Sequence, residues 1–490
     1  MNLSLLTDFY ELTMMQGYFL NSPEQAGVFE MFFRRQPFEG GYTVFAGLGP
    51  LLEELHGLRF TADEITYLES LKVFKKEFID YLESFSFGGD IYSLPEGTIV
   101  FPGEPLLRVH GKLMEAQLIE SMVLNCINFQ SLIATKAARI VSIAGNRPVM
   151  EFGLRRAQGA NGALVATRAA YIGGAASTSN TLAGQQYGIP VSGTMAHSWV
   201  MNFETELDAF QKYVELYPDR SVLLVDTFDT IKSGIPNAIT VFRKLREEKP
   251  SFMAVRIDSG DLEYLSKKAR KMLDESGLRE VKIFASSDLD EWIMRQLIQS
   301  GAPIDAWGVG TRLVTGWNDP ALTGVYKIVA KKEGAAYEPR IKISNQAEKI
   351  TNPGVKNIMR FYNGKRQVLA DLMYLEEESE DLERRIGRKE PIRFNHPSTE
   401  YARFTLSEYS AAKRLLEPVM LKGEIINKQP SIQDIKLYRQ SEVDSLDETF
   451  KRLLNPHIYK ISLSDRLKDL KTELIQQIKS NYDTIYADRG

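Results

Sequence analysis

The sequence predicts an α/β protein that contains an incomplete (β/α) barrel and a β-rich module, and three observations support this prediction. Short apolar segments of strand type recur along the central part of the chain, each followed by a polar or glycine-containing cluster. Four successive strand ends, at Thr194, Asp226, Asp258 and Ser286, lie 28 to 32 residues apart, which is about the length of one βα unit. The region is also shorter than the ~250 residues of a complete eight-unit barrel.

The predicted barrel strands are residues 148–152, 189–192, 222–225, 253–257, 281–284 and 306–309. Such strands could also form an open, doubly wound sheet. In a barrel all strand ends meet at one mouth, whereas in an open sheet only those near the switch point line a site. Because nearly every strand here ends in a polar cluster, we favour the barrel and expect these clusters to share one site.

The pattern of predicted strands, helices and turns changes along the chain and separates three regions. Residues 1–130 contain short strands between turn clusters and are predicted to form a β-rich domain. Residues 131–345 are predicted to form the barrel. Residues 346–490 form a C-terminal region with a less informative pattern.

Composition restricts the classes of function. The 490 residues are 43% hydrophobic and carry a net charge of −4, without the basic stripe that is typical of nucleic-acid-binding proteins. No run approaches the ~18 apolar residues of a membrane span. The single cysteine, Cys126, excludes a disulfide within the chain. Together with a start that lacks a basic segment, this indicates a cytoplasmic protein.

Two turns that follow neighbouring strands can hold phosphate. Gly308 and Gly310 let backbone N–H groups approach an anion, and Thr311 adds a hydroxyl, although a tight βα turn explains these residues equally well. Ser286 and Ser287 precede a helix, where they can act as a cap, as a phosphate site, or as both.

The segment 256–261 is more specific (RIDSGD). Arg256 and Asp258 are two residues apart on a strand, so they face the same side. Such a pair fits an anionic substrate together with a ribose hydroxyl or Mg²⁺, for which Asp258 and Asp261 are the candidate ligands. The alternative is a buried ion pair with a helix cap at Ser259 or Asp261.

Two further strand ends carry candidate residues. Arg155 follows the first barrel strand and is either a solvated charge or a phosphate ligand. His197 follows a glycine turn and is a packing residue, a base, a metal ligand or a phosphate acceptor. Zinc is not expected, because no second histidine or cysteine lies nearby in the sequence.

The order of five motifs resembles that of the nicotinate phosphoribosyltransferase family. The motifs are residues 5–10 (LLTDFY), 151–156 (EFGLRR), 193–198 (GTMAHS), 256–261 (RIDSGD) and 308–311 (GVGT). The resemblance extends from residue 5 to about residue 354. It implies a type II phosphoribosyltransferase fold, in which a β-rich α/β sandwich domain, built from the N-terminal and part of the C-terminal region, lies beside an incomplete barrel.

The same resemblance implies a reaction in NAD biosynthesis. Nicotinate and phosphoribosyl pyrophosphate would give nicotinate mononucleotide and pyrophosphate, with Mg²⁺ as cofactor and ATP as co-substrate. ATP hydrolysis would act through a phosphohistidine, for which His197 is the matching residue. The active form would be a homodimer with the sites at the interface.

Roles for individual residues also follow from the resemblance. Nicotinate would be bound by Thr194, Arg256 and the partner subunit's Tyr10, and Phe152 would stack on the pyridine ring. Asp258 would lie near the ribose and Mg²⁺. Arg155 would hold phosphate and Ser344 would contact the phosphoribosyl group, beside the two turns predicted above to hold phosphate, which contain Ser286, Ser287, Gly308, Gly310 and Thr311.

Asn180 bears on the choice of substrate. Related nicotinamide enzymes resemble this segment but carry an aspartate, which would repel a carboxylate, so asparagine favours the acid. The alternatives that remain are a nicotinamide or quinolinate phosphoribosyltransferase and a catalytically inactive phosphoribosyl-binding regulatory protein.

Overall fold

A computed structural model of the protein describes residues 3–346, 349–399 and 401–486, with side chains described as far as residue 480. The chain divides into two compact units. One unit, here called the terminal unit, comprises Met1–Leu132 and Ala321–Gly490, and the other, the barrel unit, comprises Ile133–Pro320. No helix within the described residues has both the length and the apolar character needed to cross a membrane.

The helices and strands are numbered in chain order. The α-helices are α1 Phe9–Asn21, α2 Leu48–His56, α3 Ala62–Ser70, α4 Lys76–Glu83, α5 Leu113–Leu118, α6 Glu120–Ala144, α7 Gly159–Ile172, α8 Thr181–Tyr187, α9 His197–Met201, α10 Glu206–Leu216, α11 Ile235–Leu245, α12 Leu262–Glu275, α13 Glu291–Gln299, α14 Thr311–Val314, α15 Ser379–Gly387, α16 Ile432–Asp444, α17 Glu448–Lys451 and α18 Asp465–Tyr486. The strands are β1 Ala26–Phe33, β2 Thr43–Val44, β3 Asp90–Ser93, β4 Ile99–Val100, β5 Leu107–Lys112, β6 Val149–Glu151, β7 Ser177–Thr178, β8 Ser221–Leu224, β9 Met253–Ile257, β10 Lys282–Ser287, β11 Ala306–Val309, β12 Gly324–Glu333, β13 Ala336–Pro339, β14 Lys356–Tyr362, β15 Val368–Leu375, β16 Ile392–Asn395, β17 Arg403–Leu406, β18 Ala411–Arg414, β19 Glu417–Leu421, β20 Glu424–Ile425 and β21 Ile461–Leu463.

The barrel unit contains a parallel sheet in the order β7-β6-β11-β10-β9-β8. Of these strands, β6 comes first in the chain and pairs with β7, the next strand, and with β11, the last. Val191 adds a parallel bridge to Thr178 in β7. Strands that are consecutive in the chain therefore follow one another around a curved sheet, with β8 and the Val191 segment at its two edges. The prediction of an incomplete barrel is confirmed.

Two details of the barrel differ from the sequence-based expectation. The predicted strand at 189–192 is reduced to the single bridge at Val191, and β7 was not predicted. A two-residue strand such as β7 shows no periodicity that a sequence pattern can detect. The helices agree more closely with the hydrophobic periodicity of the sequence. In α12 the buried residues recur at every third or fourth position, namely Leu262, Ser266, Ala269 and Leu273.

The terminal unit contains two larger sheets. One is antiparallel throughout, in the order β13-β12-β1-β5-β3-β19-β20, and the other has the order β17-β16-β21-β15-β14-β18. Because β12 pairs with β1 along its length, residues 321–345 belong to this unit and not to the barrel, where the sequence placed them. The hydrophobic alternation of β12 does not specify which strand it will pair with.

Buried ion pairs connect distant segments of the terminal unit. Lys356 on β14 lies 2.9 Å from Glu30 on β1, and each side chain is 2% exposed. Arg360 on β14 contacts Asp371 at 2.6 Å and Glu442 at 3.1 Å. Burial raises the pKa of Glu30 and lowers that of Lys356, while each partner's charge opposes the shift. Each charge is therefore tolerated only because its partner is present.

We expect Lys356→Met to lower the free energy of unfolding by about 3–5 kcal/mol, because it leaves the Glu30 carboxylate buried and unpaired. Urea denaturation followed by circular dichroism would measure the change. The double variant Glu30→Gln/Lys356→Met should recover part of the loss. Lys76→Met is the control, because Lys76 forms an exposed pair with Asp80. Equal stability of the Lys356 and Lys76 variants would contradict the expectation.

Candidate functional site

Two adjoining cavities lie at the carboxyl ends of the barrel strands. Their volumes are about 430 Å³ and 270 Å³, and both are lined by Phe152, Arg155, Arg256 and Asp258. The larger cavity is also lined by the predicted site residues Thr194 and His197. The smaller cavity is also lined by the predicted site residues Ser286, Ser287, Gly308, Gly310 and Thr311. The polar clusters that follow separate strands thus meet at one mouth.

Arg256 lies at the junction of the two cavities and is held by three side chains. Its Nε donates to Ser286 Oγ at 2.7 Å and its Nη1 to Thr194 Oγ1 at 2.8 Å. Its Nη2 donates to Asp258 Oδ1 at 2.7 Å. A guanidinium has five N–H donors, so among the described residues one donor on each terminal nitrogen remains available. These two donors suit a planar anion such as a carboxylate.

Asp258 combines a fixed oxygen with an accessible one. Oδ1 accepts hydrogen bonds from Arg256 and Ser286, whereas Oδ2 lies 3.9 Å from His197 Nε2. The backbone N–H of Asp258 donates to Asp226 Oδ2 at 2.9 Å, and Ser259 Oγ donates to the same oxygen at 2.7 Å. The side chain is 31% exposed, so Oδ2 can reach a ligand. The alternative of a wholly buried ion pair does not describe this site.

His197 begins α9, and its imidazole faces the larger cavity. Nδ1 lies 3.1 Å from Thr227 Oγ1, and the side chain is 42% exposed. The Thr227 hydroxyl fixes the ring orientation, so that Nε2 points toward Asp258. The structure therefore favours a chemical role for His197 over the alternative of a packing residue.

Phe152 forms an aromatic wall between the cavities. The guanidinium of Arg256 lies 5.8 Å from its ring centroid. A Cβ atom on residue 308 would lie 2.7 Å from Phe152 Cδ2, so glycine is required there for the ring to keep its position. A flat ligand in the larger cavity can contact this ring and the available donors of Arg256 together.

The two turns predicted to hold phosphate line the smaller cavity. The helix that follows Ser286 and Ser287 begins at Glu291 and is capped by Asp290, whose carboxylate accepts from two backbone N–H groups. Neither serine therefore caps α13, although the sequence allowed that role. Ser287 has a φ of +146°, a strained value for a residue other than glycine. Such strain is concentrated at functional sites.

Comparison with known proteins gives a consistent result. Models of the N-terminal domain of nicotinate phosphoribosyltransferase, of the nicotinate phosphoribosyltransferase family and of its C-terminal domain match residues 5–128, 148–369 and 355–471. A nicotinate phosphoribosyltransferase of Bacillus subtilis is 43% identical, covering 98% of this chain and 97% of the relative. One from Mycobacterium tuberculosis is 38% identical, covering 95% and 92%. The chain belongs to the nicotinate phosphoribosyltransferase family.

A solved structure supports the same assignment. The crystal structure of human nicotinic acid phosphoribosyltransferase is 30% identical in sequence and superimposes with a TM-score of 0.81. The match covers 96% of this chain and 99% of the human chain. The fold described above is therefore that of the family over nearly the whole length.

Three residues predicted for the family's site lie outside the two cavities. Asp261 caps α12 by accepting from the Tyr264 N–H at 3.0 Å, which is the alternative role that the sequence allowed. Tyr10 on α1 and Ser344 belong to the terminal unit, and their substrate contacts stay predictions. Burial, with Glu120 close by, raises the pKa of Tyr10 to about 12, so its hydroxyl stays a donor.

Asn180 has a structural task in this chain. Its Oδ1 accepts from the Ala183 N–H at 3.2 Å and caps α8, and its Nδ2 donates to Thr167 Oγ1 at 3.3 Å. The residue is 3% exposed, and the neighbouring Ser179 lines the larger cavity instead. Its amide is thus engaged within the protein, and a direct contact with a substrate carboxylate is not supported.

Two residues near the site were not singled out from the sequence. Asp226 anchors the Asp258 backbone and Ser259, and its Oδ1 is buried without a hydrogen-bond partner among the described residues. Thr227 orients His197. Both follow β8, at the strand end that Asp226 marks in the sequence, so their position after a barrel strand was a signal for a place in the site.

We expect Arg155→Met to weaken binding of inorganic pyrophosphate by ~10-fold or more, because Arg155 is a cation that lines both cavities. Isothermal titration calorimetry would measure the affinity. Arg243→Met is the matched control, since Arg243 is an exposed arginine of the same unit that lies outside the cavities. The assignment of the smaller cavity to phosphate would fail if both variants bound pyrophosphate like the unaltered protein.

Proposed function

We propose that this enzyme transfers a phosphoribosyl group from phosphoribosyl pyrophosphate to nicotinate, in the synthesis of NAD. The products are nicotinate mononucleotide and pyrophosphate. Membership of the family supports this function, and the observation that supports it most directly is the position of Arg256, which lines both cavities and keeps two donors available. A residue so placed can bind the acid while it contacts the sugar-phosphate side.

Nicotinate fits the chemistry of the larger cavity. Its carboxylate can accept from the free N–H groups of Arg256, while the pyridine ring lies against Phe152. The Thr194 hydroxyl donates to its neighbour's carbonyl and accepts from Arg256, so it holds the guanidinium in place. The ring nitrogen, which carries the attacking lone pair, would then face the smaller cavity.

The reaction breaks the bond between C1′ and pyrophosphate as the pyridine nitrogen attacks C1′. Positive charge develops on the ribose and negative charge on the leaving group. Asp258 Oδ2 is positioned to stabilise the ribose, and Arg155 and Arg156 to stabilise the phosphates. The backbone at Gly310 and Thr311 adds N–H donors on the same side.

Mg²⁺ is part of this proposal, and the residues present fit it. Mg²⁺ in phosphate-handling sites is held by one or two carboxylates together with substrate oxygens. Asp258 Oδ2 supplies such an oxygen, and Asp226 holds the Asp258 backbone in place, whereas the carboxylate of Asp261 is engaged in capping α12. When bound, the ion would neutralise charge on the pyrophosphate oxygens.

ATP and His197 form the part of the proposal that couples ATP hydrolysis to the transfer reaction. The exposed imidazole would accept the γ-phosphoryl group of ATP on Nε2 with ADP as the leaving group, and water would later hydrolyse the phosphohistidine to free histidine and inorganic phosphate. Nδ1 faces Thr227, so Nε2 is the nitrogen on the cavity side. We further propose a cytoplasmic homodimer with the sites at the interface, in which the partner subunit's Tyr10 contacts nicotinate.

The substrate can be identified by comparing the acid, the amide and the diacid. We expect turnover with nicotinate to exceed that with nicotinamide or quinolinate by ~100-fold or more. The uncharged amide would leave the Arg256 guanidinium without an anionic partner, and the second carboxylate of quinolinate would have no cation of its own once Arg256 is paired with the first. Release of pyrophosphate would be measured with each compound. A preference for the amide or the diacid would assign one of the alternative activities, and binding without pyrophosphate release would indicate an inactive phosphoribosyl-binding protein.

The phosphohistidine can be tested separately. We expect His197→Ala to abolish the stimulation of turnover by ATP, so that the ratio of rates with and without ATP falls to about one, because the phosphoryl acceptor is lost. His56→Ala is the control, since His56 is a half-exposed histidine of the terminal unit. Undiminished stimulation in the His197 variant would remove this role without affecting the proposed transfer reaction.

A further inference from the structure

Helix α14 lies between two other turns of the candidate site. It follows β11, which pairs with β6 on one side and with β10 on the other. Residues at the ends of all three strands line the smaller cavity, namely Arg155 and Arg156 after β6, Ser286, Ser287 and Asp288 at the end of β10, and Gly310 and Thr311 after β11. Because β11 is the middle strand, the helix that follows it can contact the turn on either side.

A guanidinium connects α14 with the turn after β10. Arg312 Nη1 donates to Asp290 Oδ2 at 2.6 Å, and the Asp290 side chain is only 2% exposed. The other oxygen of Asp290 accepts from two backbone N–H groups at the start of α13. The guanidinium also lies 5.4 Å from the ring centroid of Trp317. Arg312 is therefore held in one orientation by a buried carboxylate and an aromatic ring.

Asp290 belongs to a segment that is fixed from within the barrel unit. In the next residue, Glu291, Oε2 lies 2.7 Å from Lys136 Nζ and Oε1 accepts from Arg139 Nε at 3.0 Å. These three side chains are at most 5% exposed. A buried carboxylate between two buried cations is strongly constrained, because separating the charges would leave them unpaired. The beginning of α13 thus gives Arg312 a fixed point of attachment.

An apolar contact connects α14 with the turn after β6. A Cβ atom on residue 153 would lie 2.3 Å from Val314 Cγ1, so glycine is required for this close approach. The carbonyl oxygen of Gly153 accepts from the N–H of Arg156 at 2.8 Å. The turn that carries Arg155 and Arg156 is therefore packed on α14, which contacts the turns on both sides.

The backbone pairing between β10 and β11 ends where their turns begin. The last paired residues are Ser287 and Val309. The φ of Ser287, +146°, is strained, and a strained backbone persists only where its surroundings hold it. Asp290 and Arg312 each follow the last paired residue of their strand by three positions. Their contact therefore continues the connection between the two turns after the backbone pairing has ended.

We propose that Arg312 is a positioning residue for the pyrophosphate group of the substrate. Arg312 does not belong to the described residues that line either cavity, so it acts through the turns and not by contact with the substrate. By joining the turns, it sets the distance between the arginines after β6 and the N–H groups after β11, which must reach the same phosphates. This inference rests on the proposed function, because it requires that the smaller cavity binds pyrophosphate.

The first test is Arg312→Met, which removes the charge and keeps an unbranched side chain. We expect the affinity for inorganic pyrophosphate to fall by ~10-fold, because the turns lose their common alignment. Isothermal titration calorimetry would measure the affinity, with Arg243→Met at the exposed Arg243 as the matched control. Arg312→Lys can restore the ion pair with Asp290 and should recover part of the affinity. Loss of folded protein alone would lower the number of binding sites and not the affinity of those that remain.

Steady-state kinetics give a second readout. In Arg312→Met the KM for phosphoribosyl pyrophosphate should rise, whereas the KM for nicotinate should change by less than about 2-fold, because Arg312 joins turns of the smaller cavity. Equal rises in both KM values would indicate general damage to the site and would overturn the proposal.

Asp290→Asn separates positioning from direct binding. Asparagine keeps the oxygen that caps α13 but removes the charge that holds Arg312. A positioning role requires weaker pyrophosphate binding in this variant as well. Stronger binding would show that the released guanidinium is itself a phosphate ligand, and the proposal would be overturned. Equal pyrophosphate affinities of Arg312→Met and Arg243→Met would overturn it too.

The unaltered protein distinguishes this inference from the proposed function. If the unaltered protein binds no pyrophosphate, the assignment of the smaller cavity is wrong and the inference fails with it. If it binds pyrophosphate and the Arg312 and Asp290 variants bind it equally well, only the inference fails.

Discussion

The candidate site depends on the way in which one guanidinium is held by side chains from separate parts of the barrel. Arg256 on β9 donates to Ser286 on β10, to Thr194 beyond the Val191 edge, and to Asp258 at the end of its own strand. A planar, always charged group with donors in fixed directions can join three acceptors and still bind a ligand, whereas a lysine ammonium cannot reproduce that geometry. The arrangement exists because the strands are parallel, so that their carboxyl ends lie at the same edge of the sheet.

The terminal unit relies on a different constraint, the pairing of charges that are removed from water. Arg108 donates to Glu376, which is 268 residues away in the chain, and Lys356 pairs with Glu30. Each pair joins an N-terminal strand to a C-terminal segment. Because a single buried charge without its partner is strongly unfavourable, these contacts make the association of the two chain segments specific.

Much of the candidate site could be predicted because strand ends are marked by residue types. A short apolar segment followed by glycine, serine or a charged residue locates the end of a barrel strand, and residues after such ends line the two cavities. Predictions were weaker where a residue can act either on its own backbone or on a ligand. Asp261 and Asn180 cap helices, whereas Ser286 and Ser287 leave the cap to Asp290. Sequence spacing is the same for both uses, so only the three-dimensional contacts distinguish them.

The sequence by itself determined the alternation of strands and helices, the positions of the strand ends and the family resemblance, since these depend on local periodicity and residue type. Only the tertiary structure decided which partners each strand and side chain would have. The pairing of β12 with β1, the support that Asp226 gives to Asp258, and the packing of Val314 against Gly153 all join residues that are far apart in the chain. Such contacts are selected by the packing and burial of the whole fold, and no local pattern records them.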